Sequence, residues 1–445
     1  MLKLRFLGNT RIPHHKGTAA MSPVRMTPPA EVVISTEQHI GAPAVPVVKA
    51  GDSVKVGQLI AEAGGYVSSP IYASVSGTVK KIEPQMKFNG QTVDAIRIES
   101  DGLMEPIESI APPTVTDAAS FLAAVRASGV VGLGGAGFPT AVKMAALEKG
   151  GIHTVILNGA ECEPYITSDA RTMMDDAEWI VKGVSLLQTY FPGVEKYIVG
   201  IEANKPDCIR NMTEAFGGDA KVSVASLPLR YPQGAEKVII YNTTGLVVPE
   251  GKLPADVGVL VINVTTVAAI AKYVSTGMPL VERYVTVDGS AVREPKNVIV
   301  PIGTSIRDVI EFAGGLSQEP GKIILGGPMT GSAVDSLDEP TLKTTGSIIA
   351  LSPKDSVDLP SGPCIHCGRC VDACPMSLVP TAFLKAMDME NADERMTFLD
   401  EHSLTLCMSC GCCSFVCPAN RPLTENIRMA KTLLKDYKAH KASLK

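Results

Sequence analysis

No apolar run in this sequence is long enough to cross a bilayer as a helix, which takes about 20 consecutive apolar residues. The longest, Val257 to Ala271, is interrupted by Asn263, Thr265 and Thr266 and predicts a buried strand running into a helix. Membrane association is therefore expected only through a partner. Neither charge sign is in large excess: 41 Lys and Arg face 46 Asp and Glu, a formal net of -5, so no nucleic-acid partner is expected. The opening MLKLRFLGNTRIPHHKG is basic but has no continuous apolar stretch; no secretory leader is expected, and a cytoplasmic setting with reduced cysteines follows. Cysteine is scarce before residue 364, where only Cys162 and Cys208 occur. The stretch from Arg428 to Lys445 is Lys-rich and helical in pattern, and predicts a solvated face ahead of a membrane-surface or docking role.

The other nine of the eleven cysteines lie between Cys364 and Cys417. Cys364, Cys367, Cys370 and Cys374 have the spacing C-x2-C-x2-C-x3-C and are followed by Pro375; Cys407, Cys410, Cys413 and Cys417 repeat it and are followed by Pro418. Three thiolates on one tight loop reach three irons of a cubane, while the fourth cysteine is carried away to the other cluster. A disulfide framework belongs to small secreted chains, not to one of 445 residues. Zinc sites have no need of the x3-C-P ending. Two 4Fe-4S clusters are predicted: Cys364, Cys367 and Cys370 with Cys417 on one, and Cys407, Cys410 and Cys413 with Cys374 on the other. Cys412 falls outside the frame and is read as a non-ligand. Between the motifs, LVPTAFLKAMD and ADERMTFLDEH predict helices, not the strands of a small bacterial ferredoxin.

From Ile40 to Glu99, short β-branched runs alternate with Gly, Pro and Ser, as in a small barrel or sandwich. The phrasing is similar to lipoyl and biotinyl carrier domains, but the turn GYVSSPIYA has no carrier lysine, so a structural or docking module is expected. After a Pro-rich linker, Pro106 to Thr116, helices and strands alternate. Helices are predicted at Ala118–Ala127, Asp169–Tyr190, Pro206–Phe216 and Ala235–Tyr241. Strands are predicted at Ile152–Leu157, Lys196–Ile201, Val222–Ser226 and Val257–Val264. This is an α/β pattern with a mostly parallel sheet.

Inside it, Gly132, Gly134, Gly135 and Gly137 form a literal G-x-G-x-x-G leading through Phe138 and Pro139 into a helix. Such a helix N-terminus attracts phosphate, and backbone without side chains lets a flat ring lie against it. Phe138 is placed to stack on such a ring and Lys143, one turn into the helix, to meet a phosphate. At the carboxyl end of the next strand stands Asn158-Gly-Ala-Glu161-Cys-Glu163-Pro164, where parallel sheets bind ligands. Here Asn158 is a candidate for a polar ring or ribityl contact, and Glu161 and Glu163 for ribose hydroxyls or an amide; solvation of two loop glutamates is the plain alternative. Cys162 reads as a small buried filler. YPQGAEK supplies Glu236 at the start of a helix, and Asn263 and Thr266 end a buried strand with polar groups. From Arg283 to Gly331, strand, Asp-Gly turn, strand, helix and Gly-Gly end predict a β-grasp unit.

GLGGAGFPT, NGAECEPYITSD, YPQGAEK, NVTT, the β-grasp stretch ending GGPMTG and the doubled cysteine motif together resemble the RnfC family of the Rnf electron transport complex, in order over nearly the whole chain. The α/β and β-grasp parts also resemble the flavin subunit of respiratory complex I. The resemblance implies a multidomain α/β protein: a lipoyl-like barrel-sandwich at 1–110, an FMN- and NADH-binding α/β domain at 111–280, a β-grasp unit of SLBB type at 281–350, and a helical two-cluster ferredoxin with a basic C-terminal helix at 355–445. It implies FMN contacts at Gly132, Gly134, Gly135, Gly137, Lys143, Asn158 and Asn263, and NADH contacts at Phe138, Glu161, Glu163 and, as a further carboxylate, Glu236. Ala160 departs from complex I, which has an acidic residue there. No residue is assigned as a catalytic acid, base or nucleophile.

The implied role is to exchange a hydride between NAD(H) and FMN and pass electrons one at a time through the clusters. The implied partners are a ferredoxin-like iron-sulfur subunit, membrane subunits and, indirectly, ferredoxin, with the chain peripheral on the cytoplasmic side of the inner membrane. Two other readings share these features. One is a soluble corrinoid reductase or a reductase feeding a proline reductase. The other is an iron-sulfur adaptor without a nucleotide site.

Overall fold

The computed structural model describes residues 8–86 and 92–443. The first seven residues of the expected barrel domain, residues 87–91, and the last two of the expected tail helix lie outside the described residues.

The centre is a four-stranded, all-parallel sheet in the order Val222–Leu227, Lys196–Glu202, Thr154–Gly159, Val259–Asn263. Val155, Ile156 and Leu157 are each 0% exposed, because helices cover both faces, and a strand buried on both sides reads as a continuous apolar run. Register sets the site: Asn263 pairs with Asn158 and Leu157 with Ile262, so two asparagines end neighbouring strands at the carboxyl edge. The run from Val259 turns directly into the helix Val264–Thr276, as its pattern predicts.

One expected element differs. The helix foreseen from Asp169 to Tyr190 is two helices, Ser168–Asp175 and Ala177–Tyr190, broken at Asp176. Aspartate is a poor interior residue because its side chain competes with the helix for local bonds; here the Asp176 carboxylate accepts from Lys272 at 2.7 Å, which fixes the bend against the neighbouring helix.

The β-grasp unit is confirmed by its pairings. Glu282–Asp288 pairs antiparallel with Lys296–Pro301 and parallel with Ser347–Leu351, and Lys322–Leu325 and Ser332–Val334 complete it. The barrel-sandwich has one sheet of four strands and one of three, closed on small aliphatic residues such as Val32, Ile34, Val54, Ile60, Ile71 and Ile98. The cluster module is helical, with Pro380–Ala386, Ala392–Glu401 and Leu423–Ser443 packed around Phe383, Leu399 and Ile427. Among the described residues no helix is long and apolar enough to cross a membrane.

Residues 8–25 do not enter the barrel. They run as a strap over the other units: Thr10 exchanges two backbone bonds with Tyr231, both 3.0 Å, Tyr165 N–H donates to the His14 carbonyl at 2.9 Å, and Val24–Arg25 adds a parallel edge strand to Lys296–Pro301. No local pattern marks this strap, because these partners are each more than a hundred residues away.

The helices Ala177–Tyr190 and Val264–Thr276 approach closely at Gly183, where an added Cβ would lie 2.4 Å from Val267 Cγ1 and 2.7 Å from its carbonyl oxygen. Alanine normally gains about 1 kcal/mol over glycine inside a helix. Here overpacking of about 1–3 kcal/mol wins, so Gly183→Ala is expected to lower the melting temperature of the protein in a thermal scan; an unchanged or higher value would contradict the close crossing.

Candidate functional site

The Gly-rich segment closes on itself. Gly132 N–H donates to the Phe138 carbonyl at 2.9 Å and Gly137 N–H to the Gly132 carbonyl at 3.1 Å. Closure needs left-handed backbone at Gly135 (φ +101°) and Gly137 (φ +64°), which glycine adopts without a Cβ penalty. Leu133 anchors the loop on both sides: its N–H donates to Thr266 Oγ1 at 3.0 Å and its carbonyl accepts from Arg283 Nη2 at 2.9 Å. A Cβ at Gly134 would stand 3.1 Å from Asn263 Nδ2, whereas one at Gly135 would meet nothing within 4 Å. The loop is thus packed below and open above. Pro139 then caps the helix Thr140–Glu148.

The sheet edge brings the expected polar residues to this loop. Asn263 caps its own helix, its Oδ1 accepting from Thr266 N–H at 3.2 Å, while its Nδ2 donates to Asp169 at 2.7 Å. Asn158 Nδ2 donates to the Gly234 carbonyl at 2.8 Å, drawing in the YPQGAEK segment. Lys143 and Glu236 form an ion pair of 2.6 Å. Thr140 Oγ1 and Arg283 Nε and Nη1 are buried without a partner among the described residues. Open backbone, a helix N-terminus and orphaned donors beside it fit a flavin phosphate and ring.

Glu161 and Glu163 are placed differently from the expectation that they present carboxylates to a nucleotide. The Glu161 carboxylate accepts from the N–H groups of Asp169 and Ala170, at 2.6 and 3.3 Å, capping the helix Ser168–Asp175 from a distance. Burial pushes its carboxyl up to about 7. The Glu163 carboxylate accepts from Met329 N–H (3.0 Å), Thr330 Oγ1 (2.5 Å) and the Tyr231 hydroxyl (3.2 Å), joining the GGPMTG loop of the β-grasp unit to the flavin side. Both carboxylates are engaged in holding the loop. Sequence reasoning assigned no role to Asp169, Arg283, Lys16 or Lys205; Asp169 ends the stretch NGAECEPYITSD and Arg283 opens the β-grasp stretch, but neither was singled out.

The two cysteine motifs repeat in backbone as in spacing. His366 and Ser409 have φ +54°, Gly368 and Gly411 +76° and +82°, and Ser377 and Asn420 +54° and +51°. In both copies an N–H donates to the first sulfur, His366 to Cys364 and Ser409 to Cys407, each at 3.4 Å. The structure gathers Cys374 with Cys407, Cys410, Cys413 and the neighbouring Cys412 around one cavity, walled by Leu378, Phe383 and Ile427. Cys364, Cys367, Cys370 and Cys417 line the other. This is the crossed arrangement that the spacing predicts. Grouped cysteine sulfurs, with N–H donors aimed at Cys364, Cys374 and Cys407, suit 4Fe-4S clusters. Cys412, adjacent to the inner set, donates its thiol to the Tyr231 carbonyl at 3.8 Å.

Contacts run unbroken from the sheet edge to the inner cavity. Asn158 bonds Gly234, Gly234 N–H donates to Cys162 Sγ at 3.4 Å, and Cys162 packs in one apolar cluster with Tyr231, Met329, Cys410 and Cys412.

Four family profiles match in order: the RnfC barrel sandwich hybrid domain over residues 4–103, the Nuo51 FMN-binding domain over 125–272, the SLBB domain over 284–333 and the 4Fe-4S dicluster domain over 361–421. The chain therefore carries an FMN-binding domain and a two-cluster domain. It is 45% identical over 409 residues to the C subunit of the proton-translocating ferredoxin:NAD(+) oxidoreductase complex of Clostridium ljungdahlii, covering 90% of this chain and 88% of the relative. It is 44% identical to the Na(+)-translocating counterpart of Acetobacterium woodii, covering 84% and 85%. Against the C subunit of the ion-translocating oxidoreductase complex of Pseudomonas aeruginosa the identity is 40%, over 84% of this chain and 49% of that longer protein.

If the cavities mark the ligand sets, Cys374→Ser is expected to perturb the same electron paramagnetic resonance signal as Cys407→Ser and to leave the signal perturbed by Cys364→Ser intact. Perturbation of the Cys364 signal instead would mean that each motif holds its own cluster.

Proposed function

This chain belongs to the RnfC family, the C subunits of ion-translocating ferredoxin:NAD oxidoreductase complexes, and on that premise we propose that it is the NAD(H)-reactive member of such a complex, exchanging a hydride between NAD(H) and FMN and passing single electrons through two 4Fe-4S clusters. The observation that carries the reading is the run of packed groups from Asn158 through Gly234, Cys162 and Tyr231 to the inner cysteines. It joins the two cofactor domains through protein contacts. FMN, when bound, supplies the exchange between two-electron and one-electron chemistry, and the clusters carry the single electrons.

The residues divide the work. The bare backbone of Gly134 and Gly135 admits a flat ring, and Asn158 and Asn263 present polar groups at its edge. The helix N-terminus at Thr140 and the Lys143 ammonium attract phosphate; Lys143 meets it by exchanging its ion pair with Glu236. Phe138, beside the loop, offers an aromatic face to the nicotinamide nucleotide. Glu161 and Glu163 act by fixing the loop between them and the site, which replaces the expected direct contact with NADH.

The second cavity is the outer one. Cys367 is exposed and Ile365, within the same turn, is 63% exposed, so single electrons enter or leave there by way of a neighbouring protein of the complex, a ferredoxin-like iron-sulfur protein held with the membrane subunits on the cytoplasmic side. Relatives of nearly equal identity are named for protons and for Na(+); we place the choice of ion in those membrane subunits. The FMN-binding domain speaks against the adaptor reading, and the names of the relatives favour the translocating complex over a soluble corrinoid or proline-reductase partner.

The test is anaerobic purification of the chain with iron, sulfide and flavin quantified, then mixing with NADH. About eight irons, one FMN per chain and bleaching of both chromophores by NADH are expected. Eight irons with no flavin uptake from excess FMN, and no response to NADH, would overturn the proposal.

A further inference from the structure

We infer that the barrel-sandwich domain is a fixed wall of the flavin site, and that Lys343 is the positioning residue through which it holds the Gly-rich loop. The inference rests on the flavin site proposed above and assigns the barrel a part in it. Lys343 lies in the β-grasp segment and is 1% exposed, with no carboxylate bonded to it among the described residues. Its three ammonium protons go to three acceptors: Ser69 Oγ at 3.3 Å and the Pro70 carbonyl at 2.6 Å, both in the barrel, and the Gly129 carbonyl at 2.7 Å, three residues before the loop. A buried ammonium is tolerated only when its donors are satisfied. All three are satisfied only while the barrel, the α/β domain and the β-grasp unit are docked together.

The neighbours of Lys343 reach the loop itself. Its backbone N–H donates to Gln38 Oε1 at 2.9 Å. Two residues along, Ile40 N–H donates to the Gly137 carbonyl at 3.0 Å. A Cβ on Gly137 would lie 2.8 Å from Thr344 Cγ2 and 3.6 Å from His39 Cα. The last glycine of the loop is therefore held between a barrel segment and the residue after Lys343. Burial drives the Lys343 pKa down to about 7, in keeping with an ammonium bonded only to neutral acceptors.

Separate contacts hold the hairpin of the barrel in place. In a swinging carrier the turn between the strands Leu59–Glu62 and Ile71–Tyr72 must be free. Here Arg126 donates to the Tyr66 carbonyl at 3.2 Å and lies 5.5 Å from the centre of the Tyr66 ring, and the Tyr72 hydroxyl donates to the Ala127 carbonyl. The hairpin is pinned to the helix that leads into the Gly-rich loop.

The experiment uses the full chain, prepared anaerobically, as wild type and Lys343→Met. Hydrogen exchange of residues 130–140 is read without FMN, and the FMN dissociation constant and NADH kinetics are read on the folded fraction. Lys343→Met is expected to speed exchange in this segment and to raise the FMN dissociation constant by about tenfold, the scale of one lost charge-assisted hydrogen bond, with iron content and exchange in residues 404–440 unchanged. Loop exchange and FMN affinity equal to wild type would overturn the inference; so would a fall in melting temperature alone, which would make Lys343 a plain domain staple. Wild-type protein that takes up no FMN would defeat the flavin-site reading, and the inference that rests on it, even if loop exchange responds. Should Lys343→Met fail to fold, Ser69→Ala, which removes one acceptor, carries the same readouts with a smaller shift.

Discussion

The segment 160–166 leaves the sheet edge with its carbonyls turned inward, and two ammonium groups satisfy them. Lys16 Nζ donates to the carbonyls of Glu161, Glu163 and Ile166, at 2.9, 2.8 and 2.5 Å; Lys205 Nζ donates to the Ala160 carbonyl at 2.6 Å. Glu161 takes φ +47° and Tyr165 φ +69° to allow this, conformations that cost about 1–3 kcal/mol each unless the surroundings impose them. The lysines impose them. Burial moves Lys16 down to about 8 and raises Glu161 and Glu202 above the ordinary carboxylate range. With the segment held in this shape, the Glu161 carboxylate reaches one helix N-terminus and the Glu163 carboxylate reaches the β-grasp loop. The bonds of Glu163 to Met329 and Thr330 depend on that geometry.

The cysteine module shows how one local motif is given two environments. Both copies share their left-handed residues and N–H···S bonds, because those are set within the motif. Their surroundings are set by the chain around them. The inner cavity abuts Met329 and Tyr231, with Gly411 so close to the Met329 carbonyl that a Cβ would lie 2.8 Å from its oxygen. The outer one opens on His366, Ile365 and Arg421. A glycine at 411 is thus required twice, once by its φ and once by the approach of the β-grasp loop. Docking of the module depends on that closeness.

What was legible in the sequence followed from locality. Cysteine spacing encodes geometry within one turn, and the expected crossing agrees with the two cavities, where Cys374 and Cys417 each line the one formed by the other motif. The central parallel strands Thr154–Gly159 and Val259–Asn263 were readable from their aliphatic runs, and the Gly-rich loop from residues that must adopt positive φ. Asn158 and Asn263 were found by position, as polar residues ending buried strands, and the register set them side by side. The internal partners of the two glutamates were not legible, because a carboxylate in a loop near a ligand site looks the same in sequence whether or not it also bonds a helix end or a neighbouring loop. The strap, Lys16 and Lys343 were not legible at all: a lysine that donates to backbone carbonyls 145 residues away has no local signature. Asp176 marks the middle ground, where propensity against a helix interior was present but outweighed by the amphipathic pattern on either side.

The site is therefore a property of the docked assembly more than of any one domain. The barrel core is built from small aliphatics, and domains of this size bury too little surface to be more than marginally stable alone. Its interface polar groups find partners across domain boundaries: Ser74 donates to the Ile302 carbonyl at 2.5 Å and Val33 N–H to the Gly303 carbonyl at 2.9 Å. On the other side Asn297 Nδ2 donates to the strap carbonyl of Thr18 at 3.0 Å. A group buried in an interface loses its water on docking and regains a bond only if the partner is correctly placed, so these contacts reward one relative arrangement and penalise near misses. The Gly-rich loop, whose own hydrogen bonds number few, takes its shape from that arrangement, with Leu133 held from the β-grasp side by Arg283 and Gly137 from the barrel side by Ile40. Rigid placement of the loop, and with it the distance from the sheet edge to the inner cysteines, is then a consequence of satisfying buried polar groups, which is why an electron-transfer protein can use glycine-rich backbone at its reactive site without losing precision there.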